Sequence, residues 1–225
     1  MAPNEYFSGI GDDFAKWSDP YDVAQRQALF GRLFENLELV GSGLEVGCGF
    51  GGLTEYFLSR QKSLTVLDVS DLLASQTGSR FSVPHIVGDV TDLEIQDESY
   101  ENVMSSECIE HSGNPEQAIK ELYRVVKPGG YLFVSTPNKI WWPVLKIGQI
   151  SHIRKFQDDE LFLTPRSVKK ILLDMGAIEL RFDGCHLIPW QIPFLKPLLR
   201  RIDKFGRFFY LISINFGFSV RKPLQ

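Results

Sequence analysis

A glycine-rich turn after a short apolar run is the feature that most restricts the fold of this chain. Residues 44–52 read LEVGCGFGG, and apolar residues at helical spacing follow over residues 53–58. Glycine lets the backbone turn sharply and brings bare peptide groups close to a ligand. The first N–H groups of the following helix have no partner within the helix, and the helix dipole makes this end positive. The pattern therefore predicts a strand, a turn and a helix around a nucleotide-like cofactor.

Strand and helix patterns alternate along the rest of the chain. Apolar runs typical of strands occupy residues 44–46, 64–67, 83–87, 100–105, 131–135, 178–188 and 209–220. Apolar residues recur at helical spacing in residues 23–37, 70–79, 115–126 and 164–175. Such alternation with short connections is typical of a parallel, doubly wound α/β sheet. Sheets of this kind bind ligands at the carboxyl ends of their strands, where Asp68, Asp89 and Glu107 are expected.

The size and composition of the chain suit one α/β domain, residues 1–225. The 225 residues are 44% hydrophobic and carry a net charge of −4, which gives no reason to expect a nucleic-acid partner. The cysteines Cys48, Cys108 and Cys185 form no disulfide or zinc pattern and fit a reducing cytoplasm. The chain shows no secretory leader and no apolar run of the ~20 residues that span a bilayer. We therefore expect a cytoplasmic, single-domain protein.

Two cofactors fit the glycine-rich turn. Gly47, Gly49 and Gly52 match G-x-G-x-x-G, and Asp68 lies about 20 residues on, where a dinucleotide-binding fold places a ribose-binding acid. This match is typical of an NAD-dependent oxidoreductase. The alternative is S-adenosylmethionine, which has a cationic ammonium and sulfonium and no pyrophosphate. A carboxylate at Glu45 suits those cations and would repel a pyrophosphate, so Glu45 favours S-adenosylmethionine.

Four motifs occur in the order seen in a known family. They are the loop from Glu45 to Gly51, Asp68 closing the second strand, Gly88 and Asp89 closing the third, and the KPGG sequence at residues 127–130 before the fifth. Residues 40–138 thereby resemble class I S-adenosylmethionine-dependent methyltransferases of the type 11 kind. The resemblance implies an enzyme with a Rossmann-like seven-stranded sheet, mostly parallel with an antiparallel last strand. A non-catalytic module that binds S-adenosylmethionine remains a rival interpretation.

The resemblance also implies roles for individual residues. Glu45, Gly47, Cys48, Gly49 and Gly51 would surround the methionine part of the cofactor. An ionised carboxylate accepts two hydroxyl hydrogen bonds, so the resemblance assigns the ribose hydroxyls to Asp68. Asp89, with the backbone at Val90, would lie beside the adenine. Val69 and Glu107 complete the cofactor-binding set.

Two carboxylates and an imidazole follow the fourth strand. If a helical turn begins at Glu107, then Glu110 and His111 lie on the same face at i+3 and i+4, where the three could bind a magnesium-class ion. The spacing resembles the metal motif of ubiquinone-biosynthesis O-methyltransferases and of small-RNA 2′-O-methyltransferases, which have a further histidine downstream. Here that stretch shows Asp158, Asp159 and Glu160 instead. Without a metal, His111 assisted by Glu110 could act as a general base, or the pair could cap a helix.

Aromatic residues are candidates to cover the acceptor of the methyl group. They are Tyr6, Phe7, Phe14, Trp17, Tyr21, Trp141 and Trp142. An aromatic lid suits a small phenol, quinone precursor or sugar, and so predicts O-methylation of a small molecule. The same residues could equally pack a helix onto the sheet.

Three segments are expected to elaborate the domain. Residues 1–40 would form an N-terminal lid and helix, residues 139–163 an irregular insertion on the acceptor side, and residues 189–208 a connection to the last strand. Seven cations and one acid occupy the last thirty residues. The basic, aromatic stretch 193–209 would suit contact with an anionic membrane surface. We favour a connecting helix with solvated cations.

Overall fold

The computed structural model describes residues 19–150, 160–187 and 196–224. Its sheet has seven strands: β1 (Ser42–Val46), β2 (Ser63–Asp68), β3 (His85–Val87), β4 (Tyr100–Ser106), β5 (Val126–Pro137), β6 (Ile178–Cys185) and β7 (Asn215–Arg221). Their spatial order is β3-β2-β1-β4-β5-β7-β6. β7 alone runs antiparallel, to both β5 and β6. The predicted Rossmann-like sheet, mostly parallel with an antiparallel last strand, is confirmed.

Helices cover both faces of the sheet. They are α1 (Pro20–Leu33), α2 (Thr54–Leu58), α3 (Asp71–Phe81), α4 (Pro115–Arg124), α5 (Trp142–Ile150), α6 (Pro165–Asp174), α7 (Lys196–Ile202) and α8 (Gly206–Phe209). Short 3₁₀ turns occupy Ile109–His111, Lys139–Trp141 and Asp203–Phe205. Local chemistry explains several starts, since α1, α4 and α6 each have proline in the first turn and a side-chain cap before it.

Two apolar clusters lie against the sheet. One combines side chains of α4 and α6 with β4, β5 and β7, and includes Leu122 and Leu172. The other combines α1 and α2 with β2, β4 and β5, and its aromatic centre is Phe30, Phe57 and Phe133, all fully buried. Rings packed edge to face, as Phe30 is on Phe57 at 4.9 Å, add to the stabilisation from burial alone.

Several element boundaries differ from the sequence prediction, and three of these differences change the assignment of a segment. The last strand begins at Asn215 instead of residue 209, because α8 is followed by a turn in which the Phe209 carbonyl accepts the N–H groups of Ile212 and Ser213. β5 begins at Val126 and takes in the KPGG sequence, with an irregular register against β4. Residues 139–150 form a 3₁₀ turn and α5, although the sequence predicted irregular structure.

Other expectations concern segments beyond the described residues. The N-terminal part of the lid (1–18), the middle of the insertion (151–159) and the start of the connecting segment (188–195) lie there, so the division of residues 1–225 into these units stays a prediction. Described residues 196–209 are helical, as the connecting-helix interpretation requires. Cys48, Cys108 and Cys185 are free thiols. In the described ranges, every helix is too short or too polar to cross a bilayer.

Candidate active site

A pocket lies at the carboxyl ends of β1 to β4. The order of the strands reverses between β1 and β4, which is where doubly wound sheets bind ligands. The pocket encloses about 590 Å³, including the part open to solvent. Its walls are Val46, Gly47, Gly49, Leu67, Asp68, Val69, Leu73, Gly88, Asp89, Val90, Glu107, Cys108, His111 and Ser112.

The glycine-rich turn forms one wall because its backbone is anchored to the neighbouring strand. The N–H groups of Gly47 and Cys48 donate to the Leu67 carbonyl at 2.8 and 3.1 Å. Gly47 has φ +76°, a conformation that favours glycine, and a Cβ there would collide with the Cys108 thiol. Glycine is therefore required here by the backbone conformation and by the close packing of Cys108, and Gly47 and Gly49 both line the pocket.

Asp68 joins this turn to the start of α3. Its Oδ2 accepts the N–H of Gly49 at 2.8 Å, and its Oδ1 accepts the N–H of Ser70 at 3.0 Å. Burial raises the pKa of Asp68, and the hydrogen bonds from Ser70 and Gly49 oppose that rise. Each carboxylate oxygen has a second lone pair, so the side chain retains capacity for hydroxyl donors in the pocket.

Glu45 is a buried carboxylate beside the pocket. Its Oε2 is enclosed and makes no hydrogen bond to any described residue. Burial raises the pKa of Glu45 to about 8; the nearby Thr54 hydroxyl opposes that rise, and the charge of Asp68 adds to it. Val46 and Gly47, which follow it directly, line the pocket, whereas Glu45 lies behind them. A cationic ligand nearby would favour the ionised carboxylate, and an anionic one would oppose it.

The loop after β3 supplies the opposite rim. Asp89 is exposed, and its Oδ1 accepts both the N–H and the hydroxyl of Thr91 at 2.8 Å. These two bonds hold the carboxylate in a fixed turn next to the buried Val90. Both residues line the pocket.

Glu107 points away from the expected metal position. Its backbone is left-handed, with φ +51°, so no helical turn begins there. Its Oε1 accepts the Ser135 hydroxyl at 2.9 Å, and its Oε2 accepts the Asn215 amide. Burial raises the pKa of Glu107, and the charge of Arg26 opposes that rise.

Glu110 and His111 lie in the next 3₁₀ turn. Glu110 is buried and accepts the Thr136 hydroxyl at 3.0 Å; burial and the charge of Glu107 raise its pKa. His111 lines the pocket, with Nε2 4.0 Å from Glu110 Oε1 and 3.8 Å from Glu160 Oε1. Within the described residues, no three His, Cys, Asp or Glu side chains are arranged to hold a metal ion. The metal prediction for Glu107, Glu110 and His111 therefore gains no support from this geometry.

Most of the predicted cofactor residues come together. Those that line the pocket are Gly47, Gly49, Asp68, Val69, Asp89, Val90, Glu107 and His111. Those that adjoin it without lining it are Glu45, Cys48, Gly51 and Glu110. The wall residues that the sequence interpretation missed are Val46, Leu67, Leu73, Cys108 and Ser112. For Val46, Leu67 and Cys108, their position directly beside Glu45, Asp68 and Glu107 was the available signal.

The predicted aromatic lid is only partly described. Tyr6, Phe7, Phe14 and Trp17 lie outside the described residues. Tyr21 packs against the His186 ring, with centroids 5.9 Å apart. Trp141 donates its indole N–H to the Ile212 carbonyl at 2.8 Å, and Trp142 is exposed. None of these three lines the pocket.

Comparison with known proteins places part of this chain near a known family. Residues 44–134 match a family model described as a methyltransferase domain. These residues of the chain are similar to a methyltransferase domain. The match confirms the class I S-adenosylmethionine-dependent resemblance and the enzyme class that the motifs indicated. The matched range begins in β1 and ends in β5, so it contains every residue that lines the pocket.

Relatives of the methyltransferase domain are distant. The ubiquinone biosynthesis O-methyltransferase of Vibrio atlanticus is 28% identical over 183 residues, which cover 75% of this chain and 73% of that protein. The biotin biosynthesis bifunctional protein BioHC of Teredinibacter turnerae is 26% identical over 197 residues. That alignment covers 74% of this chain and spans 33% of the bifunctional protein.

A solved structure shows the same fold as this chain. It is an S-adenosylmethionine-dependent methyltransferase of Thermotoga maritima, described as a possible histamine N-methyltransferase. It aligns with a TM-score of 0.72 at 18% identity, over 98% of this chain and 99% of that one.

The raised pKa of Glu45 predicts a pH-dependent stability. Because the folded-state pKa of about 8 lies above the ordinary 4.5, the contribution of Glu45 to the free energy of unfolding is fully present below about pH 4.5 and is lost as the pH rises to about 8. In that pH range Glu45 should lower the free energy of unfolding by about 1.4 kcal/mol per pH unit, and Glu45→Gln should remove this decline. Urea unfolding of the ligand-free protein at several pH values measures it.

The matched control is Glu55→Gln, which changes an exposed glutamate ten residues away. This control should unfold with the pH dependence of the parent. Parallel pH profiles for the parent and for Glu45→Gln would contradict the prediction.

Proposed function

We propose that this chain is an S-adenosylmethionine-dependent methyltransferase that methylates an oxygen of a small-molecule acceptor. One observation carries the proposal. A single pocket joins the glycine-rich turn and Asp68 to His111, and the enclosed Glu45 carboxylate lies behind that turn. The arrangement offers a place for a cationic nucleoside ligand and a proton acceptor at the same opening.

The donor set supports S-adenosylmethionine over a dinucleotide. A pyrophosphate would stand near Glu45, a carboxyl that burial already makes hard to ionise, and next to Asp68. The Asp68 carboxylate would repel it, and the charge of the pyrophosphate would further oppose the ionisation of Glu45. An ammonium and a sulfonium instead favour ionisation of Glu45, whose Oε2 has no partner among the described residues. The NAD-dependent oxidoreductase is therefore the weaker interpretation.

Each part of the donor has residues that suit it. The turn from Gly47 to Gly51, backed by Glu45, would hold the amino-acid end. Asp68, whose two oxygens already accept the N–H groups of Gly49 and Ser70, would hold the ribose hydroxyls with its remaining lone pairs. Asp89 and Val90 would border the adenine. When bound, S-adenosylmethionine supplies a methyl group activated by a positively charged sulfur.

His111 suits the role of general base toward an acceptor hydroxyl. A neutral imidazole accepts a proton, and the carboxylates of Glu110 and Glu160 lie 4.0 and 3.8 Å from its Nε2. The charge of Glu160, and that of Glu110 when it is ionised, would stabilise the imidazolium formed when His111 takes the proton. We propose no metal-assisted step, since the Glu107 carboxylate is directed at Ser135 and Asn215.

The acceptor class follows from the base and from the relatives. Methylation of a hydroxyl requires removal of its proton, and accepting that proton is the role proposed for His111. The Vibrio atlanticus relative is named as an O-methyltransferase of ubiquinone biosynthesis. We therefore propose a phenol or a quinone precursor as the first acceptor to test, and a sugar as the second. The proposed setting is the cytoplasm, where the three free thiols remain reduced.

Replacement of Asp68 should weaken S-adenosylmethionine binding. Loss of hydrogen bonds to an ionised group costs roughly 1.5–3 kcal/mol, so Asp68→Ala should raise Kd roughly 10- to 100-fold in calorimetric titration. Asp71→Ala, an exposed acid on the first turn of α3, is the matched control and should keep the parent Kd. Circular dichroism verifies that both variants are folded. An unchanged Kd for a folded Asp68→Ala would refute the proposed role.

Turnover and the role of His111 are tested by release of S-adenosylhomocysteine across phenols, quinone precursors and sugars. With an active acceptor, His111→Asn should lower kcat about 10²- to 10⁴-fold while the Kd for S-adenosylmethionine stays unchanged. His85→Gln, at an exposed histidine, serves as the control. If NAD but not S-adenosylmethionine raises Tm, the chain is an oxidoreductase. Binding without turnover on any acceptor would indicate a non-catalytic module.

A further inference from the structure

A second surface lies at the same edge of the sheet as the pocket. β5 ends at Pro137, which pairs with Asn215 at the start of antiparallel β7. The chain leaving β5 and the chain entering β7 therefore meet at the edge formed by the carboxyl ends of the parallel strands. Residues 139–150 leave β5 there, and residues 196–212 lead into β7.

These two segments carry an unusual share of exposed apolar side chains. Eleven of the eighteen exposed large apolar side chains in the described residues belong to them. On the first segment these are Ile140, Trp142, Val144, Ile147 and Ile150; on the second they are Leu198, Phe205, Phe208, Phe209, Leu211 and Ile212. We call these eleven residues the edge patch. Ile150 and Phe208 are 71% and 73% exposed, so the patch is not a covered part of the core.

Hydrogen bonds join the two halves of the edge patch. The Trp141 indole N–H donates to the Ile212 carbonyl at 2.8 Å. The Asn138 amide donates to the carbonyls of Leu211 and Ser213 at 3.0 and 3.2 Å. The start of α5 is thus held against residues 211–213, so the two groups of apolar side chains begin next to each other at this edge of the sheet.

Cations far outnumber acids in the two segments that carry the edge patch, although Arg207 pairs with the exposed Glu35 at 2.8 Å. Residues 139–150 and 196–212 contain seven cations: Lys139, Lys146, Lys196, Arg200, Arg201, Lys204 and Arg207. Their only acid is Asp203, which is buried and accepts the Gln25 amide at 2.6 Å. Lys139, Arg201 and Lys204 are exposed. The whole chain is acidic, with a net charge of −4, so the positive charge is concentrated on this side.

From this combination we propose that the edge patch docks the protein on an anionic membrane surface. Apolar side chains insert at the boundary between head groups and acyl chains, and the surrounding lysines and arginines contact the anionic head groups. A second copy of the chain fits the patch less well, because a two-fold contact would bring two basic surfaces together. The described helices are too short or too polar to span the bilayer, so the contact is peripheral.

Co-sedimentation of the full chain with vesicles tests the proposal without any methyl donor or acceptor. The protein should pellet with vesicles of phosphatidylcholine mixed with phosphatidylglycerol, stay in solution with phosphatidylcholine alone, and lose binding as salt is raised. The double variant Ile147→Ser, Phe208→Ser should bind the anionic vesicles at least about tenfold more weakly than the parent. Lys139→Glu with Lys204→Glu should also lower binding.

The matched control is Leu72→Ser with Leu173→Ser, which removes two exposed apolar side chains from α3 and α6, outside the edge patch. This control should bind as the parent does, and thermal unfolding verifies that all variants are folded. The proposal is overturned if the parent fails to pellet with anionic vesicles, or if the edge-patch variants bind as well as the parent. It is also overturned if light scattering shows a dimer that these variants dissociate, because the patch is then an interface between copies.

Discussion

The Asp68 carboxylate is the interaction on which the pocket depends. It accepts the N–H of Gly49 from the turn after β1 and the N–H of Ser70 before α3. Two loops from different parts of the chain are thereby fixed to one side chain at the end of β2. Burying that carboxylate opposes its ionisation, and the two backbone donors offset part of the cost. Asp68 therefore both fixes the conformation of the turn and contributes a carboxyl group to the pocket.

At Glu45 no backbone donor in the described part of the chain offsets the cost of burying the carboxyl. It lies one strand away, is as buried as Asp68, and its Oε2 finds no donor among the described residues. An enclosed acid of this kind destabilises a protein unless a ligand compensates it. Its retention next to a glycine-rich turn is the physical reason for expecting a cationic ligand. The same imbalance accounts for the pKa of about 8.

Polar contacts to residues far away in the sequence, in and after β6, hold α1 against the sheet. Arg32 donates to both oxygens of Asp183 at 3.0 Å, Gln25 bonds Asp203, and Asp22 lies 2.9 Å from His186 Nε2. A paired arginine and carboxylate in this bidentate geometry is among the stronger side-chain contacts. α1 also brings Arg26 near Glu107, whose pKa that charge lowers against the effect of burial. The first helix thus affects the electrostatics of the pocket.

Local chemistry in the sequence determined the elements and most of the pocket. Glycines after an apolar run, acids at successive strand ends and proline with a capping residue at helix starts act within a few residues, so they are readable without a fold. The tertiary structure decided what depends on distant partners. Glu107 turns from Glu110 because Ser135 and Asn215 hold its carboxylate, and residues 139–150 meet 211–213 because β5 and β7 pair. No pattern in the sequence encodes either contact, since each joins residues that only the assembled sheet brings together.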